Sequence, residues 1–141
     1  MSAEPYPKVY LYKRLVQAKL FIDGQYASAI DLDNIADEAL FSKFHFIRLF
    51  KKAYGRTPHQ YLTAVRVDRA RDLLKEGLSV TDICYTVGFD SLSSFTGLFK
   101  RLTGKTPSAF QREYFALRAQ MQDVPLAFVP HCFAEAHGWG K

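Results

Sequence analysis

Leu49-Phe50-Lys51-Lys52-Ala53-Tyr54-Gly55-Arg56-Thr57-Pro58 returns 49 residues later as Leu98-Phe99-Lys100-Arg101-Leu102-Thr103-Gly104-Lys105-Thr106-Pro107. Six of the ten positions are identical, and Lys52/Arg101 and Arg56/Lys105 keep their charge. Upstream the match loosens to Ile35 and Ala36 answering Ile83 and Cys84, where the second copy is one residue longer. Two copies make a duplicated module and not a solenoid, whose repeats need neighbours on both sides.

Each copy reads as helix, tight turn, helix, glycine stop and a new helix. In the first, Asp31 is placed to cap a short helix from Leu32 to about Ala39, and Ser42 to cap a second helix to about Tyr54. Gly55 then stands where a left-handed residue closes a helix. Thr57 opens a third helix, with Pro58 at its first position and Gln60 set for a capping box. In the second copy Ser79 with Asp82 opens a helix to about Val87, Gly88 turns the chain and Ser91 opens the next helix. Gly104 ends that helix, and Thr106-Pro107 starts the last. Ahead of both copies, Val9 to about Ile22 has Tyr12, Leu15, Val16 and Leu20 at helical spacing, the expected core stripe. The expectation is an all-α chain of seven helices and no strand. It divides into a first helix-turn-helix unit over 1–57, a linker helix over 58–76, a second unit over 77–118 and a tail over 119–141.

Composition sets the class. Of 141 residues, 48% are hydrophobic and 15% aromatic, enough for a packed core and too apolar for a disordered chain. The longest apolar runs, such as Pro125–Pro130, fall far short of the roughly 20 residues of a spanning helix. Glu4, Pro5 and Pro7 interrupt the start before a signal-peptide pattern builds. A soluble, cytoplasmic, nucleoid-associated protein is expected, with no membrane partner. Cys84 and Cys132 form no CxxC pair and read as ordinary thiols. Net charge is +5, but Phe41 to Arg118 holds 14 Lys/Arg against 6 Asp/Glu, leaving the flanks acidic. A basic middle suits a polyanionic partner. The linker helix, about 19 residues from Pro58 to Glu76, would span about 28 Å, close to the roughly 34 Å of one DNA turn.

The second helix of each copy divides into two faces. In the first, Phe46, Leu49, Phe50 and Ala53 fall at core spacing, while Phe44, Ile47, Arg48 and Lys51 form the other stripe. In the second, Phe95, Leu98, Phe99 and Leu102 are the core set, and Ser93, Thr96, Gly97 and Lys100 the outward stripe. A helix fits the major groove and its outward stripe reads base edges. Candidate base readers are therefore Phe44, Ile47, Arg48, Leu92, Ser93 and Thr96. Candidate phosphate contacts are Ser42, Lys43, His45, Lys51, Lys52, Arg56, Ser91, Ser94, Lys100, Arg101 and Lys105, together with helix N-termini.

These residues resemble the C-terminal DNA-binding domain of the AraC/XylS family of transcription regulators. The resemblance covers roughly Asp31 to Arg112. It is carried by Asp82 to Arg101, read as DICYTVGFDSLSSFTGLFKR, and by Gly104-Lys105-Thr106-Pro107. In the first copy it is carried by Phe50-Lys51-Lys52, Gly55, Thr57-Pro58 and Tyr61-Leu62, followed by Arg66, Ala70 and Leu73-Leu74. The resemblance implies seven helices, sequence-specific binding of double-stranded promoter or operator DNA, and contact with RNA polymerase. This sequence departs from the family at Cys84, where alanine is usual, at Ser94, where an aromatic is common, and at Gly97, where an arginine is common. Gly97 removes a side chain from the second reading stripe, so the second copy is expected to hold phosphate and groove shape more than bases. About 30 residues precede the first copy, too few for the effector-binding domain many members carry there, so the chain reads either as a single-domain regulator, which is the expectation, or as a fragment of a longer protein.

The enzyme reading finds no GxSxG, P-loop or HExxH, so no catalytic residue and no cofactor is assigned, and no small-molecule site is evident. His131, Cys132 and His137 in the tail are too few and too irregular to be assigned a metal. The competing reading is a small helical interaction module, which a salt-dependent DNA shift separates from a DNA binder.

Overall fold

A computed structural model of the chain describes residues 8–30 and 43–122. Among them are six helices and no strand: α1 (Lys8–Gln25), α2 (Lys43–Tyr54), α3 (Pro58–Lys75), α4 (Val80–Thr86), α5 (Leu92–Thr103) and α6 (Pro107–Gln122). The all-α class holds, and these six correspond to six of the seven helices expected; the other, expected over 32–39, lies outside the described residues.

Helix boundaries follow local chemistry. Thr57 Oγ1 accepts from the Gln60 backbone N–H at 3.1 Å, and the Gln60 side chain accepts from the Thr57 N–H at 3.0 Å, the reciprocal pair expected from the sequence. Ser79, Ser91 and Thr106 cap α4, α5 and α6 by accepting from the N–H groups of Asp82, Ser94 and Ala109 at 3.1, 3.3 and 3.2 Å. Gly104 closes α5 at φ 86°, and Gly55 stands at φ 78° after α2, the conformation glycine adopts without a Cβ clash.

Two hydrophobic clusters share α3 end to end. The first joins Leu15, Ala18 and Ile22 of α1, Phe46 and Phe50 of α2, and Leu62 near the start of α3. The second joins Val67, Ala70 and Leu74 further along α3 with Ile83, Cys84, Val87, Phe89, Phe95 and Phe99. The duplication is visible in the packing: the Phe46–Phe50 and Phe95–Phe99 ring centroids both lie 5.8 Å apart. Each fully buried phenyl ring contributes about 1.5–3 kcal/mol of transfer free energy. Burial raises the pKa of the Cys84 thiol above its ordinary value, the nearby Asp90 carboxylate adding to the effect.

Three expectations about faces need correction. On α1, Leu15 is buried, but Tyr12, Val16 and Leu20 are exposed, and the core stripe is Leu15, Ala18 and Ile22. Two apolar stripes run side by side on this helix, and the small Ala18 marks the one that packs. Ala53 and Leu102, equivalent positions in the last turns of α2 and α5, are exposed and not core.

Candidate nucleic-acid interface

On α2 the buried rings of Phe46 and Phe50 fix the helix roll, and the opposite side is turned outward. Phe44 is 76% exposed, Arg48, Lys51 and Lys52 are exposed, and Ile47 is half-buried at the edge of the stripe. His45 is also exposed. The stripe read from the sequence is therefore a surface at Phe44, Arg48 and Lys51, with Ile47 at its edge. Ser42 and the side chain of Lys43 lie outside the described residues.

The corresponding roll of α5, set by Phe95 and Phe99, exposes Leu92, Ser93, Ser94, Gly97, Lys100 and Arg101 and leaves Thr96 half-buried. Ser91 is the N-cap of this helix, and its hydroxyl also lies 2.9 Å from that of Ser93. The Ser91 oxygen accepts from the Ser94 backbone N–H, which leaves its own O–H as a donor. A Cβ built on Gly97 meets nothing within 4 Å, so the stripe has a notch where α2 carries Arg48.

Arg56 and Arg101, candidates from different copies, come together in the wall of an open groove of about 670 Å³ between α3 and the end of α5. His59 and Arg71 of α3 line it too, as does Leu102. Arg71 went unnoticed in the sequence because it belongs to the linker and to neither repeat. The spacing of four through His59, Thr63, Val67 and Arg71 was the available signal, since it keeps one face of α3 continuous. Lys105 is exposed and forms a surface ion pair with Glu113 of α6.

Among the described residues no group of three or more His, Cys, Asp or Glu side chains is placed to hold a metal, and no helix is long and apolar enough to cross a membrane. The candidate tail ligands His131, Cys132 and His137 lie outside the described residues.

The helix-turn-helix region is similar to known proteins. The model of a family described as a helix-turn-helix domain matches residues 35–113. The chain is 33% identical over 98 residues to the Msm operon regulatory protein of Streptococcus mutans, covering 69% of this chain and 35% of that protein. It is 34% identical over 93 residues to the bifunctional transcriptional activator/DNA repair enzyme AdaA of Bacillus subtilis, covering 65% of this chain and 44% of that one. The chain thus spans less than half the length of these two relatives. Among solved structures it superposes on the DNA-binding domain of AdpA, a global transcriptional factor, in complex with a target DNA. The TM-score is 0.71 at 30% identity, over 76% of this chain and 97% of that domain.

Proposed function

The chain belongs to the AraC-type family of helix-turn-helix, DNA-binding transcription regulators, and from that membership we propose how it engages its operator. Helices α2 and α5 enter successive major-groove segments on one face of a duplex, with α3 as the stiff spacer between them. The observation that carries this reading is the repetition of one arrangement: each helix buries a matched phenylalanine pair and turns outward a stripe ending in a lysine, Lys51 or Lys100. The 18 residues of α3 give a length of about 27 Å, which suits two sites about one turn of DNA apart.

Roles follow from position. Arg48 pairs with guanine, Phe44 and Ile47 meet thymine methyls, and Ser93, Thr96 and Leu92 make smaller contacts in the second segment. Lys43, Lys51, Lys52, Arg56, Lys100, Arg101 and Lys105 neutralise phosphates on either side, with Ser42, His45, Ser91 and Ser94 making hydrogen bonds to them. RNA polymerase is the proposed protein partner at promoters. No catalytic role enters this reading; the repair activity in AdaA's name is said of that protein.

The test is a selection from a random duplex pool followed by affinity measurement across salt. With about six phosphates neutralised, counterion release lowers affinity by about a thousandfold or more between 50 and 200 mM salt. No enrichment, or an affinity indifferent to salt, sinks the proposal and favours an interaction module.

A further inference from the structure

One residue of the linker helix touches both helix-turn-helix units at their junction. Arg66, midway along α3, donates from Nε to the backbone carbonyl of Tyr26 at 2.7 Å and from Nη2 to that of Ser28 at 2.9 Å. Both carbonyls belong to the segment just after α1, in the first unit. The same guanidinium lies 5.7 Å from the ring centroid of Phe89, in the turn between α4 and α5 of the second unit. Phe89 is 8% exposed and stands 5.1 Å from Phe95 of α5. A continuous chain of contact therefore runs from the end of α1 through Arg66 to the outer helix of the second unit.

Two further groups close this junction. Gly88, at φ 102°, lies so near that a Cβ there would stand 2.7 Å from the Tyr26 carbonyl oxygen and 2.9 Å from Arg66 Nε. The Tyr26 ring packs against both hydrophobic clusters, and its hydroxyl accepts from Arg69 Nε at 3.2 Å. Burial lowers the pKa of the Arg66 guanidinium, opposed by Asp90, yet an arginine stays charged at neutral pH. A charged, forked donor held by two carbonyls and a ring admits one geometry where a lysine admits several.

We propose that Arg66 is a positioning residue that sets the distance and angle between α2 and α5, and through them the spacing of the two DNA half-sites the protein accepts. The proposal rests on the two-segment reading above and adds what fixes the register. One inserted base pair moves the second half-site by about 3.4 Å and about 35° around the duplex. A clamped pair of helices cannot follow that displacement, whereas an unclamped pair follows it in part.

The experiment uses the whole chain and a pool of random-sequence duplexes, selected in parallel with the parent, Arg66→Lys and Arg66→Met. The enriched site is then resynthesised with one base pair inserted or removed between half-sites, and as a single half-site. The parent is expected to enrich one spacing and to lose about tenfold or more on the altered duplexes, the size of an ordinary mismatch penalty. Arg66→Met is expected to enrich several spacings and to lose less than about threefold on the altered duplexes, with half-site affinity within about twofold of the parent; Arg66→Lys falls between them. Loss of structure alone would weaken every duplex by the same factor, and that result overturns the proposal, as does an Arg66→Met protein with the parent's spacing preference. If thermal melting shows Arg66→Met unfolded, Arg66→Lys decides, and an unchanged spacing preference in it is equally fatal. A parent that enriches no duplex overturns both this proposal and the DNA-binding reading; a parent with one spacing and an unaltered Arg66→Met overturns only the clamp.

Discussion

Single positions show how far residue chemistry carries. Arg48 and Gly97 occupy equivalent places in the two copies, and the structure puts both on the outer face. Arg48→Ala should weaken binding to the selected site by about 1–3 kcal/mol and relax preference at one base pair, the cost of a lost bidentate contact; titration of duplexes varied at each position checks this. Gly97 lies in open space, so Gly97→Arg adds a guanidinium without a clash. It should also stabilise α5 by about 1 kcal/mol, since glycine is a poor helix former. The expected outcome is a higher melting temperature together with a new preference, often guanine, under the second copy. A melting gain with unchanged binding would mean that this face does not look into the groove. The notch was legible from the repeat alone. The cap at Ser91 was legible too: a serine ahead of a helix reads as an N-cap, and the 3.3 Å bond from the Ser94 N–H to its hydroxyl oxygen is that cap.

At the level of elements, punctuation proved more readable than faces. Thr57, Pro58 and Gln60 fixed the start of α3 because capping chemistry is local to four residues. Thr57→Ala should remove the side-chain acceptor for the Gln60 N–H and cost about 1 kcal/mol of stability, read by urea unfolding. The corresponding loss from Thr106→Ala at α6 should be similar, since that hydroxyl accepts from the Ala109 N–H. Faces depend on partners far away in sequence. On α1 the stripes through Leu15 and through Val16 are both apolar, so periodicity could not rank them. Contact with Phe46, Phe50 and Leu62 selects the first. The tie between α1 and α3 made by Tyr61 donating to Asp23, with Lys19 paired to the same carboxylate, was beyond the pattern too. Burial and then that bond raise the pKa of the Tyr61 hydroxyl, which stays protonated as the donor.

Over the whole molecule, the duplication in the sequence appears as two cores on one helix. What the sequence did not reveal is how they are joined, because Arg66 acts on backbone carbonyls, which carry no residue signature. Leu62 is the last α3 residue of the first core and Val67 the first of the second. An alanine inserted between Ala64 and Val65 would therefore turn the second unit by about 100° and advance it by about 1.5 Å relative to the first. Binding to the two-half-site duplex should fall to that of a single half-site, while half-site affinity persists; equal affinity for both duplexes in the parent would contradict this. The uninterrupted run of α3, clamped at Arg66, thus makes the linker a screw held in one phase, and a residue is the smallest step an insertion can give it. DNA is a screw as well, with a pitch of about 34 Å against about 5.4 Å for the helix. Operators for this protein are the lengths at which the two threads come into step.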